Sequence, residues 1–339
     1  MEIIMLRSPV FRLSMLFPAL MLAFCIAIMY GPVTFSMKDV ANAILAGYWH
    51  SDTAGTLHQR IVWSLRMPRT LLAALAGAAL ALAGTVLQSL TRNPLADPWV
   101  LGISSGAGFG AVLVIALGLS AGWATVPAGA FCGAMLAFAL VLFMARKSLS
   151  GQSSRFILTG VAVTQLLSAA TSLTTLWKTD ADTTRGVMFW LLGSFAQATW
   201  LQVLLCALVL LPIFLLCWWR AIELDALTFG NVTAASLGVD VSAIRLALYC
   251  LLTLLTAVIV ACCGAIGFIG LTVPHIARIF IGYRHRSLLP ASMLCGATFT
   301  VLADTLARTL FSPRELPVGI LTAMLGVPVF LFLISRTSR

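Results

Sequence analysis

Acidic side chains are scarce in this chain: 11 aspartates and glutamates in 339 residues, against 21 lysines and arginines, and charged residues of both signs make only 9% of the total. An ordinary soluble domain solvates itself with about a quarter charged residues, so this composition excludes a water-soluble fold. Histidine is scarcer still, at four, and none falls in an HExxH metal motif. No GxxxxGK[ST] phosphate loop, EF-hand loop or Ser-His-Asp grouping occurs. The sequence thus offers no catalytic constellation, no metal site and no cofactor site, and work against a gradient would draw on a partner or an ion. Cysteine is present eight times, yet always within apolar runs, with no CxxC and no neighbouring histidine. That marks the cysteines as packing residues.

What fills the chain instead is hydrocarbon. Hydrophobic residues make 60% of it and the mean hydropathy is +1.03. A bilayer crossing needs about 20 mostly apolar residues, and without water only helices or closed barrels satisfy the backbone. The uncharged runs here are long and lack ten-residue alternation, so the expectation is an all-α polytopic membrane protein, one domain over 1–339, with about ten spans. They are predicted near 13–30, 68–90, 99–118, 122–144, 156–177, 190–216, 246–265, 267–281, 288–310 and 317–334. The first follows Arg7 and Arg12 but is long for a signal sequence and lacks a small-x-small cleavage site, so it reads as retained. Lysine and arginine sit at span ends, not in a stripe, which argues against nucleic acid. Most fall on the side that carries both termini, predicting that side to be cytoplasmic. Lys38, Arg60, Arg66, Arg69, Lys178, Arg185, Arg308 and Arg314 fall on the other side and need a separate reason.

Four places interrupt the apolar pattern. "TRNPLADPWVLGISSG", 91–106, carries Pro94 and Pro98, which cannot continue a helix and bias Asn93 and Asp97 toward extended backbone, predicting a compact turn. Gly102, Gly106 and Gly110 follow at intervals of four, the small-residue pattern that lets two membrane helices approach closely. Asp304 lies well inside a predicted span, with Arg308 one turn on; the pair is either structural or part of a proton relay. Thr164, Ser168, Thr171 and Thr175 share one face of the fifth span and either line an aqueous path or bond back to their own helix. Finally, "RAIELDALTFGNVTAASLGVDVSAIR", 220–245, reads either as two short amphipathic helices joined near Gly230, with Leu224, Leu227 and Leu237 at an exposed docking surface, or as an ordinary surface loop.

Together, "RMPRTLLAALAGAALALAGTVLQSLTRNPLADPWVLGISSGAG", "GAIGFIGLTVPHIAR", "VLADTLAR" and "ELPVGILTAMLGVPVFLFL" resemble, in order and spacing from 66 to 333, the FecCD family: permease subunits of ABC importers for ferric siderophores, haem and cobalamin. The resemblance implies the type II importer architecture, with ten helices per subunit. It implies a second permease subunit, either a copy or a paralogue, two cytoplasmic ATPase subunits that bind ATP and Mg, and a periplasmic substrate-binding protein. The chain would sit in a bacterial inner membrane and carry an iron complex, a ferric siderophore being favoured over haem or cobalamin.

The resemblance also assigns residues. Segment 222–240 matches the family's coupling helices, with Leu224, Ala226, Leu227, Gly230, Ala234, Leu237 and Gly238 meeting the ATPase. Arg66, Arg69 and Arg314 would meet acidic residues of the binding protein, or anchor lipid headgroups. Asn93 and Leu95 with Ser153 and Ser154 would close the cytoplasmic end of the path; a Thr-Ser pair is usual at the latter two. His50 and His58 read as solvated loop residues. The rival expectation, from another class, is a proton-coupled transporter working through Asp304.

Overall fold

The computed structural model describes residues 9–31, 33–49, 57–119, 124–145, 153–178 and 181–337, and among these every regular element is helical. In chain order they are α1 (Pro9–Met29), α2 (Met37–Trp49), α3 (Leu57–Arg60) leading through a π-helical segment (Ile61–Arg66) into α4 (Met67–Thr91), then a 3-10 turn (Pro98–Leu101), α5 (Ile103–Ala116), α6 (Thr125–Ala145), α7 (Ser153–Lys178), α8 (Ala181–Leu191), α9 (Trp200–Trp219), α10 (Ala221–Thr228), α11 (Asn231–Ser236), α12 (Val241–Cys263), α13 (Ile269–Ile281), α14 (His285–Thr309) and α15 (Val318–Thr337). Seven helices among the described residues are long and apolar enough to cross a membrane, and α5, α13 and α15 supply shorter apolar ones. Each predicted span therefore has its helix.

Two boundaries differ from expectation. The sixth span does not begin at 190: α8 ends at Leu191, an irregular stretch follows, and α9 starts at Trp200. Its start is set by a capping box, in which Thr199 accepts from the Gln202 N–H and the Gln202 side chain accepts from the Thr199 N–H. Twenty residues then rise about 30 Å, bracketed by Trp200 and by Trp218 and Trp219, the aromatic spacing of a helix that spans hydrocarbon.

The α-helix of the third span begins at Ile103, not 99, because the preceding segment is a 3-10 turn ended by Gly102 in the left-handed conformation. Arg92 caps α4 in the left-handed conformation, φ 53, and the predicted turn occupies only the next few residues. The chain then runs back into the bundle, where Asp97 lies beside Gly270, and Gly270 packs on Leu80 and Gly84 in the middle of α4. Asp97 accepts from the Trp99 N–H at 2.9 Å and so caps the 3-10 turn, and Trp99 Nε1 donates to the Ile266 carbonyl at 3.3 Å. The break between α12 and α13 therefore packs against the break before α5. Irregular backbone at this depth is tolerated because protein covers it.

α4 is the axis of the bundle. From Ala76 to Thr91 every residue is buried, as expected of a helix apolar on all sides. Alanine and glycine at its surface let neighbours approach closely: Gly77 meets Gly296 of α14 backbone to backbone, leaving no room for a Cβ on either. The predicted glycine ladder works likewise, Gly106 and Gly110 of α5 against Gly133 and Gly129 of α6. Gly102 instead caps the 3-10 turn with φ 78. The eight cysteines are all free thiols.

Candidate functional site

At one end of α4 the arginines expected to be exposed are largely internal. Arg66 is buried and donates from Nη1 to the Ile28 carbonyl at 2.5 Å and the Met29 carbonyl at 3.2 Å, and from Nη2 to the Val33 carbonyl. Its guanidinium also lies 4.4 Å from the Phe35 ring centroid. Arg308, also buried, donates to the Ala27 carbonyl. Ala27, Ile28 and Met29 supply the last carbonyls of α1, which have no acceptor role within their own helix, and cationic donors there complement the negative end of the helix dipole. Arg66 is thus a helix cap and not a free docking contact. The signal that could have revealed this is its place at the very start of a long, largely apolar helix, where an unpaired cation has no solvent.

Asp304 is claimed by Arg69. Arg69 Nε lies 3.1 and 2.9 Å from the two Asp304 oxygens and Nη2 lies 2.9 Å from Oδ1, while Nη1 reaches both oxygens of Glu315 at 3.1 and 2.9 Å. Arg308 Nε stands 3.9 Å from Asp304 Oδ2, a looser contact than the i+4 spacing suggested. The expected Asp304–Arg308 ion pair is present, but as the looser member of a cluster centred on Arg69. Bidentate geometry of this kind is the strong form of an ion pair. Of the three arginines proposed for docking, only Arg314 has an exposed side chain.

At the opposite end, α10 and α11 form a knob whose residues divide into two sets. Leu224 and Leu227 are 0% exposed, and Ala226, Gly230 and Ala234 are also buried. They root the knob in the bundle and correct the expectation of an exposed Leu224 and Leu227. Leu237 is 70% exposed, as expected, and Gly238 is exposed beside it. The apolar residues missed by the sequence reading are Ile222 and Phe229, each 76% exposed, and Val232 at 85%. Asp225 of α10 meets His285 Nδ1 at 2.6 Å and accepts from the His285 backbone N–H at 3.0 Å. Partial burial works to raise the Asp225 pKa, but these hydrogen bonds and the charges of His285 and Arg284 outweigh it and hold the carboxyl below its usual range.

Asn93 and Leu95 sit where α4 ends beside this knob. Asn93 Oδ1 accepts from the Leu95 N–H at 2.9 Å, the local bond that lets asparagine set a turn, and Leu95 projects 51% exposed. Ser153 and Ser154 open α7, but their side chains lie outside the described residues, as does His50. The four α7 residues do not share one environment. Thr171 is buried and bonds back to Leu167, Thr175 bonds back to Thr171, and the Thr164 hydroxyl is buried with no hydrogen-bond partner among the described residues. Ser168 is exposed. The polar surface of α7 is rotated from the predicted one and runs through Gln165, Ser168 and Ser172.

The bundle holds seven described helices long and apolar enough to cross a membrane, and similarity places it among the permeases of ABC importers. Residues 19–336 match the FecCD transport family, and the chain belongs to that family. It is 40% identical over 328 residues to the uncharacterized ABC transporter permease protein YvrB of Bacillus subtilis, covering 93% of this chain and 91% of that one. It is 42% identical over 293 residues to the hemin transport system permease protein HmuU of Yersinia pestis, covering 85% and 86%. A vitamin B12 import system permease protein, BtuC of Klebsiella pneumoniae, is 42% identical over 283 residues, covering 82% and 83%. Among solved structures, a metal-chelate type ABC transporter in an inward-facing conformation superposes with TM-score 0.85 at 32% identity over 96% of this chain and 98% of that one.

Proposed function

We propose that the chain is the membrane-spanning half of an ATP-driven importer that carries a bulky metal chelate whole into the cytoplasm of a bacterium. It lies in the inner membrane with both termini cytoplasmic, pairs with a second permease subunit, and receives its cargo from a periplasmic binding protein. Two ATPase subunits, which hold ATP and Mg, seat on the knob. The observation that carries this reading is the division of α10 and α11: Leu224 and Leu227 anchor them while Ile222, Phe229, Val232 and Leu237 are left outside. An apolar cluster on a short rooted element is a protein-docking surface, and a chain without a phosphate loop needs such a partner.

The cargo class is an iron complex or cobalamin. A hemin permease and a vitamin B12 permease among the relatives support a macrocyclic chelate over the ferric siderophore first favoured. The proton-coupled reading named Asp304, which is engaged by Arg69 in a bidentate bond; nothing else speaks for it. Proteoliposomes holding the chain with its ATPase, supplied with binding protein and labelled haem, cobalamin or ferric siderophore, test both points. ATP-dependent accumulation of one chelate is expected, whereas accumulation without any nucleotide-hydrolysing partner would overturn the reading.

A further inference from the structure

The last turn of α4 holds three consecutive residues, each tied to a different neighbour. Gln88 Nε2 donates to the Gly270 carbonyl at 3.1 Å, and Gln88 Oε1 accepts from Arg278 at 2.5 Å, which fixes α13. Ser89 Oγ meets His285 Nε2 at 2.5 Å, and His285 Nδ1 in turn holds Asp225 of α10. The Leu90 carbonyl accepts from Arg245 Nη2 at 3.0 Å, and the same nitrogen donates to Asn231 Oδ1 of α11 at 2.8 Å. Both knob helices are therefore one side chain away from the same helical turn. His285 and Arg245, which make the two bridges, are almost wholly buried.

Each bridge answers a local need. Leu90 is among the terminal carbonyls of α4 that its own helix leaves unpaired, and His285 N–H is among the unpaired donors opening α14. A cation at the first and a carboxylate at the second are the favourable signs for those helix ends. Beyond that need, the bonds are directional, so they fix the knob in register with α4 where apolar contact alone would let it slide. Two residues past Leu90, Arg92 turns the chain into the Asn93–Leu95 segment, and its guanidinium lies against Gly230 between the knob helices.

We propose that His285 and Arg245 are positioning residues that transmit displacement of the knob into the last turn of α4, and through it into the 92–97 turn. This rests on the importer reading above. In the proposal α10 acts through Asp225–His285–Ser89 and α11 through Asn231–Arg245–Leu90. Neither bridge touches cargo or nucleotide.

The test uses the reconstituted permease–ATPase complex with binding protein, comparing wild type with Ser89→Ala, Asn231→Ala and the double variant, each measured for ATPase copurification, ATP hydrolysis and chelate moved per ATP. Copurification and hydrolysis are expected to hold while chelate moved per ATP falls roughly threefold to tenfold in each variant. Asn231→Asp, which keeps an acceptor for Arg245, is expected to restore the ratio. Unchanged ratios in the single and double variants, with wild type transporting normally, would overturn the bridges alone. Loss of ATPase copurification in both single variants would make these residues structural and overturn the proposal too. Failure of wild type to move chelate with ATP would instead sink the importer reading.

Discussion

Arg66 and Arg314 were alike in sequence, cations on the side opposite the termini, and the structure gives them opposite situations. Arg66 satisfies the end of α1, so Arg66→Ala strands the buried Ile28 carbonyl, while Met29 keeps the Phe35 N–H and Val33 is exposed. A buried acceptor left unpaired costs about 1–3 kcal/mol. The expected outcome is a lower melting temperature in detergent, with any loss of transport following the loss of folded protein. Arg314→Glu touches an exposed side chain and should leave stability within about 0.5 kcal/mol while weakening binding-protein capture, since charge at a docking rim steers and registers association. Equal melting temperatures for wild type and Arg66→Ala would refute the capping role. Asp225 gives a pH signature. Its pKa is held low, so the stability it contributes is full above the usual carboxylate value of about 3.9 and is lost as pH falls through the lower folded value. Asp225→Asn removes that acid-limb dependence, which an acid titration of thermal stability reads directly.

Among the helices, the knob makes the sharpest distinction. Leu227→Asp places a carboxylate at a fully buried position and should cost several kcal/mol, reducing the yield of folded permease. Phe229→Asp and Val232→Asp alter exposed positions and should leave the melting temperature nearly unchanged while abolishing ATPase copurification. If the Phe229 and Val232 variants copurify normally, the docking surface lies elsewhere. The existence of the knob was legible, because 220–245 is too polar to span and too apolar to be a linker. Which leucines face outward was not, since both sides of these short helices are apolar and only the bundle decides which side it covers. The same limit applies to α8 and α9: the run predicted at 190–216 joined the last two residues of α8 to α9, and only the Thr199–Gln202 box marks the boundary. The Asn-Pro turn was readable from its prolines, but the return of Asp97 into the bundle depends on a contact with Gly270, far away in sequence. Asp304 shows it again: its i+4 neighbour was visible, whereas Arg69 lies 235 residues away.

Across the whole molecule, α4 joins two polar assemblies: the arginine cluster at its start and the bridges at its end. The sides of the bundle are apolar, and α9 presents Leu204, Leu208, Leu211 and Leu215 outward, the surface expected against lipid. α7 is different. Its outward side mixes Leu166 and Leu173 with Gln165, Ser168 and Ser172, and an amide facing hydrocarbon without a partner costs several kcal/mol. On the importer reading proposed above, that side would face the second permease subunit across the path, with water to satisfy the amide. Cysteine placed at Ser168 should react with a charged, membrane-impermeant thiol reagent in the intact complex, and cysteine at Leu208 should not, each judged against the native thiols as background. The reaction at position 168 should also slow when chelate-loaded binding protein is held on the complex, because cargo and reagent would share one aqueous space. Equal protection at the two positions would place α7 against lipid or in a dry interface, and would remove its exposed side from the transport path.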